Sequence, residues 1–246
     1  MAGPQTRSPE EQRSEPIALA GYLDHTLLDP EAGPTDLRRI CDEAKTHGFR
    51  TVCVASSHIA FCARELVDSG VETVAVVGFP LGANSTQAKA FETAQAVEDG
   101  ADEIDVVIAR GMLKCRDYAY VVQDLRAVVE AARGRPVKVI LETGSLTRDE
   151  TIIGCALAVA AGAAFVKTST GFAGGGATLE DVSLMRAVVG PGVGVKASGG
   201  IRDAAAARAM IDAGASRIGS SASVAMVLDG TAPMDGARDT AGQPAG

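Results

Sequence analysis

Between about residues 16 and 229, short apolar runs alternate with longer amphipathic stretches. The runs near 21–26 (GYLDHT), 50–55 (RTVCVA), 72–79 (ETVAVVGF) and 103–108 (EIDVVI) predict four strands. Those near 137–142 (VKVILE), 163–168 (AAFVKT), 193–197 (VGVKA) and 216–219 (SRIG) predict four more. They are rich in Val and Ile and read as apolar on both parities, the pattern of parallel strands covered on both faces. The segments between them have helical spacing. In 35–47, Leu37, Ile40, Cys41 and Ala44 recur three or four apart, with charge on the other side. Thr35, Asn84, Thr147 and Thr178 are predicted helix N-caps. Gly48, Gly70, Gly100 and Gly162 are predicted to close helices. Strict strand–helix alternation gives a parallel sheet with right-handed crossovers, and eight units close a (β/α)8 TIM barrel. An open doubly wound sheet is the alternative, but the usual Gly-x-Gly-x-x-Gly turn after the first strand is absent.

The chain has 246 residues, near the size of one such domain. We therefore expect a single barrel domain at 16–229, with flexible tails at 1–15 and 230–246, where Pro, Gly, Ser and charge dominate. The formal net charge of −8 argues against a nucleic-acid partner. Neither a secretory signal nor a membrane-length apolar run is present, so no membrane association and a cytoplasmic location are expected. The five cysteines include no Cys-x-x-Cys pair, which argues against a disulfide framework or structural zinc. A homodimer is the assembly considered, although the sequence carries no interface signature.

Barrel active sites lie at the C-terminal ends of the strands. Polar residues interrupt the apolar runs there: Asp24 and Thr26, Cys53, Asp105, Glu142, Lys167, Lys196, Ser198, then Ser220 and Ser221. Two lysines, in FVK and GVK, fall on neighbouring strands about 4.8 Å apart. Two ammonium groups about 6 Å apart repel by roughly 3 kcal/mol at an effective dielectric near 20. Burial adds to the same effect, so one lysine is expected to be neutral unusually often. A neutral amine attacks a carbonyl to form a Schiff base. Electrostatics alone does not say which lysine. Either one can instead simply pair with a carboxylate, and Glu142 is the expected partner. Asp105 is the candidate general acid–base, or a partner that neutralises a lysine. Asp24 either orients Lys196 or makes a structural hydrogen bond. Cys53 is read as core.

Gly171, Gly199, Gly200 and Gly219-Ser220-Ser221 follow the last three strands, where unobstructed backbone N–H groups make an anion site. Arg202 and Arg217 are expected in surface salt bridges. The three histidines, His25, His47 and His58, do not converge on one strand end, so no metal site and no cofactor are expected.

With these residues in place, the chain resembles the deoxyribose-phosphate aldolase family over roughly residues 17–228. LDHTLL (23–28), VVGFPLGAN (76–84), ADEIDVVI (101–108), VKVILETG (137–144), FVKTSTGF (165–172), GVKASGGIR (194–202) and RIGSSA (217–222) carry the likeness. The resemblance implies that Lys167 forms the Schiff base, that Lys196 perturbs it, and that Asp105 moves protons with a bound water. It also implies that Asp24 and Thr26 border the site and that Gly171, Gly199, Gly200, Gly219 and Ser221 hold phosphate. The implied partners are a small sugar phosphate and acetaldehyde. Asp29 and the pair Ala109-Arg110 depart from the commoner pattern. A barrel aldolase using another aldehyde donor, or a sugar-phosphate-binding barrel without chemistry, are the rival readings.

Overall fold

The structure, a computed structural model, describes residues 19–229. The expected tails, and residues 16–18 of the expected domain, lie outside the described residues. Eight parallel strands close a barrel in sequence order: β1 (Leu23–Leu27), β2 (Thr51–Ala55), β3 (Glu72–Val77), β4 (Glu103–Val107), β5 (Val137–Ile140), β6 (Phe165–Lys167), β7 (Gly194–Ser198) and β8 (Arg217–Ser220). The ring is completed by β1 pairing with β8. The helices are α1 (Pro34–His47), α2 (Ile59–Glu65), α3 (Thr86–Glu98), α4 (Arg110–Lys114), α5 (Tyr118–Ala131), α6 (Arg148–Ala160), α7 (Leu179–Val189), α8 (Ala204–Asp212) and α9 (Ser223–Asp229). No helix among the described residues is long and apolar enough to cross a membrane.

Local chemistry explains the element ends. Thr147 and Thr178 cap α6 and α7 as expected, each accepting from the N–H three residues on. Thr35 does not cap α1. Pro34, whose ring presets φ for a first helical position, moves the start back to Gly33, whose N–H donates to Asp36. Asn84 yields to Ser85, whose hydroxyl accepts from Ala88. Gly48 ends α1 in the left-handed conformation at φ 65°. The other three also have positive φ, but Asp99 and Ala161 are the C-caps just before Gly100 and Gly162, and Gly70 lies in the turn beyond α2.

The strand pleat sorts side chains onto two faces. Val52, Val54, Ala75, Val77, Ile104, Val106, Val139, Val166, Val195 and Ile218 point outward and pack with Leu37, Ile40, Leu125, Val128, Met185 and Met226 of the helices. This shell between sheet and helices is the main apolar core. Inside the barrel β2 and β3 supply a small apolar cluster, where Cys53, Val74 and Val76 meet Leu28 and Phe79, and Phe165 of β6 lies against Lys138 and Arg217. The inward positions of the other six strands carry Asp24, Glu103, Asp105, Lys138, Lys167, Lys196 and Arg217. The expectation of strands apolar on both parities therefore holds outside the barrel and only in part inside it. Branched aliphatic residues usually fill that space; here mutually compensating charges fill it.

Candidate active site

Asp105, buried at the middle of β4, is the centre of the interior charges. Its Oδ1 accepts from Lys138 Nζ at 2.7 Å, and its Oδ2 accepts from Lys167 at 2.7 Å and Lys196 at 2.8 Å. Lys167 and Lys196 are direct register partners across β6 and β7. The contacts continue into a closed ring. Lys196 also pairs with Asp24, Asp24 accepts from Arg217 at 2.7 Å, and Arg217 donates to Glu103 at 3.1 and 3.2 Å. Glu103 pairs with Lys138 at 2.7 Å, which returns to Asp105. The ring holds three cations and three carboxylates. Lys167 hangs from Asp105 as a fourth cation with no carboxylate of its own.

That imbalance sets the two lysines apart. Burial pushes the Lys167 ammonium down, Asp105 pulls it back, and Lys196 pushes it down again; the balance is lowered. Burial also opposes the charge on Lys196, but Asp105 and Asp24 outweigh it and raise its pKa. For Asp105, burial favours the neutral acid, yet Lys138, Lys167 and Lys196 together hold it well below the ordinary 3.8. Asp24 is held down in the same way by Lys196, Lys138 and Arg217. The like-charge argument from sequence is thus refined: burial is the leading cause at Lys167, with Lys196 a secondary one.

Lys167 is also the one ring-linked residue that lines the cleft at the C-terminal end of the barrel. It sits at the floor of this cleft, whose volume is about 520 Å³. Thr26, Gly171, Gly199, Gly200, Gly219, Ser220 and Ser221 line the same cleft, so the predicted residues gather in one place. Lys196, Asp105 and Asp24 lie beneath it, fully buried. Gly219 is tightly packed there: a Cβ would lie 3.0 Å from both Lys196 Cε and Ser198 Cβ. Gly199, at φ 89°, turns the chain where Ala177 N–H donates to its carbonyl, bringing the loops after β6 and β7 together. The Ser220 hydroxyl donates to Ile201 O at 2.8 Å and accepts from Ala222 N–H, so it shapes its loop. Thr26 donates to the Asp24 carbonyl.

Several expectations need correction. Arg217 is not at the surface: it is 7% exposed and locked between Asp24 and Glu103. Glu142 pairs with no lysine and instead accepts from Thr170. Arg202 is exposed at the cleft rim with no ion pair among the described contacts. Sequence reasoning missed Lys138 and Glu103. Glu103 shares the parity of Asp105 in β4, and Lys138 is the register partner of Asp105 in β5, so both are recognised through strand pairing. Of the departures from the family pattern, Asp29 lines the cleft, and Arg110 ties Leu81 O to Ser145 Oγ across neighbouring loops. Cys53 is fully buried in the small apolar cluster. Among the described residues no group of three or more His, Cys, Asp or Glu side chains is placed to hold a metal ion.

The sequence profile described as "DeoC/LacD family aldolase" matches residues 19–230. A deoxyribose-phosphate aldolase of Bdellovibrio bacteriovorus is 53% identical over 215 residues, covering 87% of this chain and 98% of that protein. Deoxyribose-phosphate aldolase 1 of Oceanobacillus iheyensis is 54% identical, covering 85% and 95%. Among solved structures, a putative deoxyribose-phosphate aldolase from Coccidioides immitis superposes with a TM-score of 0.85 at 44% identity, covering 87% of this chain and 86% of that one. The deoxyribose phosphate aldolase of Aeropyrum pernix, described as tetrameric, gives 0.83 at 33% identity, covering 89% and 93%. With its barrel, its interior lysines and these relatives, the chain belongs to the DeoC/LacD family of aldolases.

Proposed function

We propose that this chain is a deoxyribose-phosphate aldolase, which reversibly cleaves 2-deoxy-D-ribose 5-phosphate to D-glyceraldehyde 3-phosphate and acetaldehyde through a Schiff base on Lys167. One observation carries the choice of nucleophile. Lys167 is the single interior cation in excess of the carboxylates, and it alone reaches the cleft.

The neutral Lys167 amine adds to the C1 aldehyde of the open-chain sugar. The carbinolamine loses water and becomes an iminium ion, which restores the positive charge beside Asp105. Removal of the C3 hydroxyl proton then lets the C2–C3 bond break. Its electron pair passes into the iminium and leaves an enamine, while C3 departs as the aldehyde of glyceraldehyde 3-phosphate. Protonation of the enamine at its terminal carbon and hydrolysis release acetaldehyde and the free amine. Asp105 remains a carboxylate at rest, so it serves first as proton acceptor and returns the proton later. Lys196, held charged by Asp24 and Asp105, adds to burial in lowering the Lys167 pKa and stabilises anionic character nearby. The iminium is the electron sink, so the chemistry calls for no cofactor. Gly171, Gly199, Gly200, Gly219, Ser220 and Ser221 provide the phosphate end of the cleft. A cytoplasmic enzyme acting as a homodimer completes the reading; light scattering of the purified chain tests the dimer.

The test is turnover. Purified protein should release acetaldehyde from 2-deoxyribose 5-phosphate, with and without a chelator, and Lys167→Leu should abolish the release. Turnover that is absent from the wild type, or that survives in Lys167→Leu, contradicts the proposal.

A further inference from the structure

Among the described residues four non-glycine positions adopt positive φ: Asp68, Arg116, Arg133 and Glu142. The first three are exposed. Glu142 differs. It is buried just beyond the end of β5, at φ 62° and ψ 60°. An L side chain other than Asn or Asp rarely sits there, so something must hold it.

Its carboxylate is committed to one residue. Oε1 and Oε2 accept the Thr170 N–H at 3.4 and 3.2 Å, and Oε2 also accepts the Thr170 hydroxyl at 2.5 Å. Thr170 Oγ1 in turn accepts the Phe172 N–H at 3.1 Å. One carboxylate thus pins both sides of the turn around Gly171, itself at φ 86°. The neighbouring backbone is tied down as well. Thr143 N–H donates to Thr168 O at 3.0 Å, and Ser145 Oγ donates to Glu142 O at 2.9 Å. Thr170, Gly171 and Phe172 line the cleft, while Glu142 does not.

We infer that Glu142 is a positioning residue that presets the Thr170–Phe172 turn for the phosphate group of the substrate; the identity of that ligand rests on the function proposed above. Glu142 acts through Thr170, away from the reacting carbons. Its loss should therefore weaken anion binding and leave the chemistry of Lys167 in place.

Three readouts on the full chain separate the possibilities: calorimetric titration with inorganic phosphate, thermal melting, and borohydride trapping of acetaldehyde on Lys167. Glycine accepts the left-handed backbone at position 142, so Glu142→Gly should melt within about 3 °C of wild type. Its phosphate Kd should rise about tenfold or more, because the turn must now be ordered on binding. Thr170→Val, which cuts the same link from the other side, should give a similar loss. The double variant should be no worse than either single one, as expected of coupled residues. For the sugar phosphate, KM should rise with little change in kcat. Equal phosphate binding by wild type and Glu142→Gly overturns the inference. So does absence of phosphate binding by the wild type, or a variant that loses stability and trapping together with phosphate. Failure to trap acetaldehyde on the wild type, with the phosphate effect intact, sinks the aldolase reading and leaves this inference standing.

Discussion

Lys167 and Lys196 face each other across β6 and β7, and both donate to the same oxygen, Oδ2 of Asp105. They are nonetheless in opposite electrostatic situations. Lys196 has a second carboxylate, Asp24, and Lys167 has none. A shared anchor with unequal support raises the pKa of Lys196 and leaves that of Lys167, the proposed nucleophile, lowered.

The charge count makes Lys138 a sensitive probe. Removing it by Lys138→Met leaves three cations facing three carboxylates, so Lys167 becomes a needed cation and holds its proton more tightly. The acidic limb of the pH–rate profile should move to higher pH. Activity near pH 7 should fall about tenfold for each pH unit that the limb moves and should recover as pH is raised. Steady-state rates across pH 5–10 check this; an unmoved limb counts against the balance described.

Asp105→Asn keeps the shape of the residue and removes both the proposed proton acceptor and the negative charge beside Lys167. The value of kcat should fall by about 10²–10⁴-fold. A loss of only a few-fold would show that another group moves the protons.

Asp24 and Asp105 make folding pH-dependent. Their folded pKa values lie below the ordinary 3.8, so the unfolded chain binds more protons in acid. The stabilisation is fully present above the unfolded value and is lost as pH falls from there through the lowered folded values. The contribution of these two carboxylates to the urea midpoint should be constant from pH 7 to 5 and decline below about pH 4. Asp24→Asn should show a shallower decline from a lower starting stability.

Arg217→Met leaves Asp24 and Glu103 buried without a shared partner. Breaking a buried pair from one side costs about 3–5 kcal/mol, which denaturant melts will register. An exposed arginine, as the sequence alone suggested, would show almost no effect.

The barrel was legible because its signals are local. Val-rich runs, glycines at helix ends and threonines such as Thr147 act within a few residues of themselves. Lys167, Lys196 and Asp105 were legible because a charge in an apolar strand stands out. The ring was not, because it is made by register. Arg217 lies in SRIG, at the edge of a run, and looks like a solvated residue until the Lys196–Arg217 pairing of β7 and β8 turns it inward. Lys138 and Glu103 likewise acquire meaning only when β4 and β5 are placed side by side. Glu142 misled because its backbone conformation, which decides where its carboxylate points, leaves no trace in composition or spacing. Caps slipped by one or two positions where a stronger local rule intervened, as Pro34 did at α1.

Covalent capture of the imine tests the central claim most directly. Protein incubated with acetaldehyde and borohydride, then digested and sequenced by mass spectrometry, should carry an N-ethyl group on Lys167, with Lys196 and Lys138 unmodified. No adduct under turnover conditions, or an adduct on Lys196 in place of Lys167, would contradict the account.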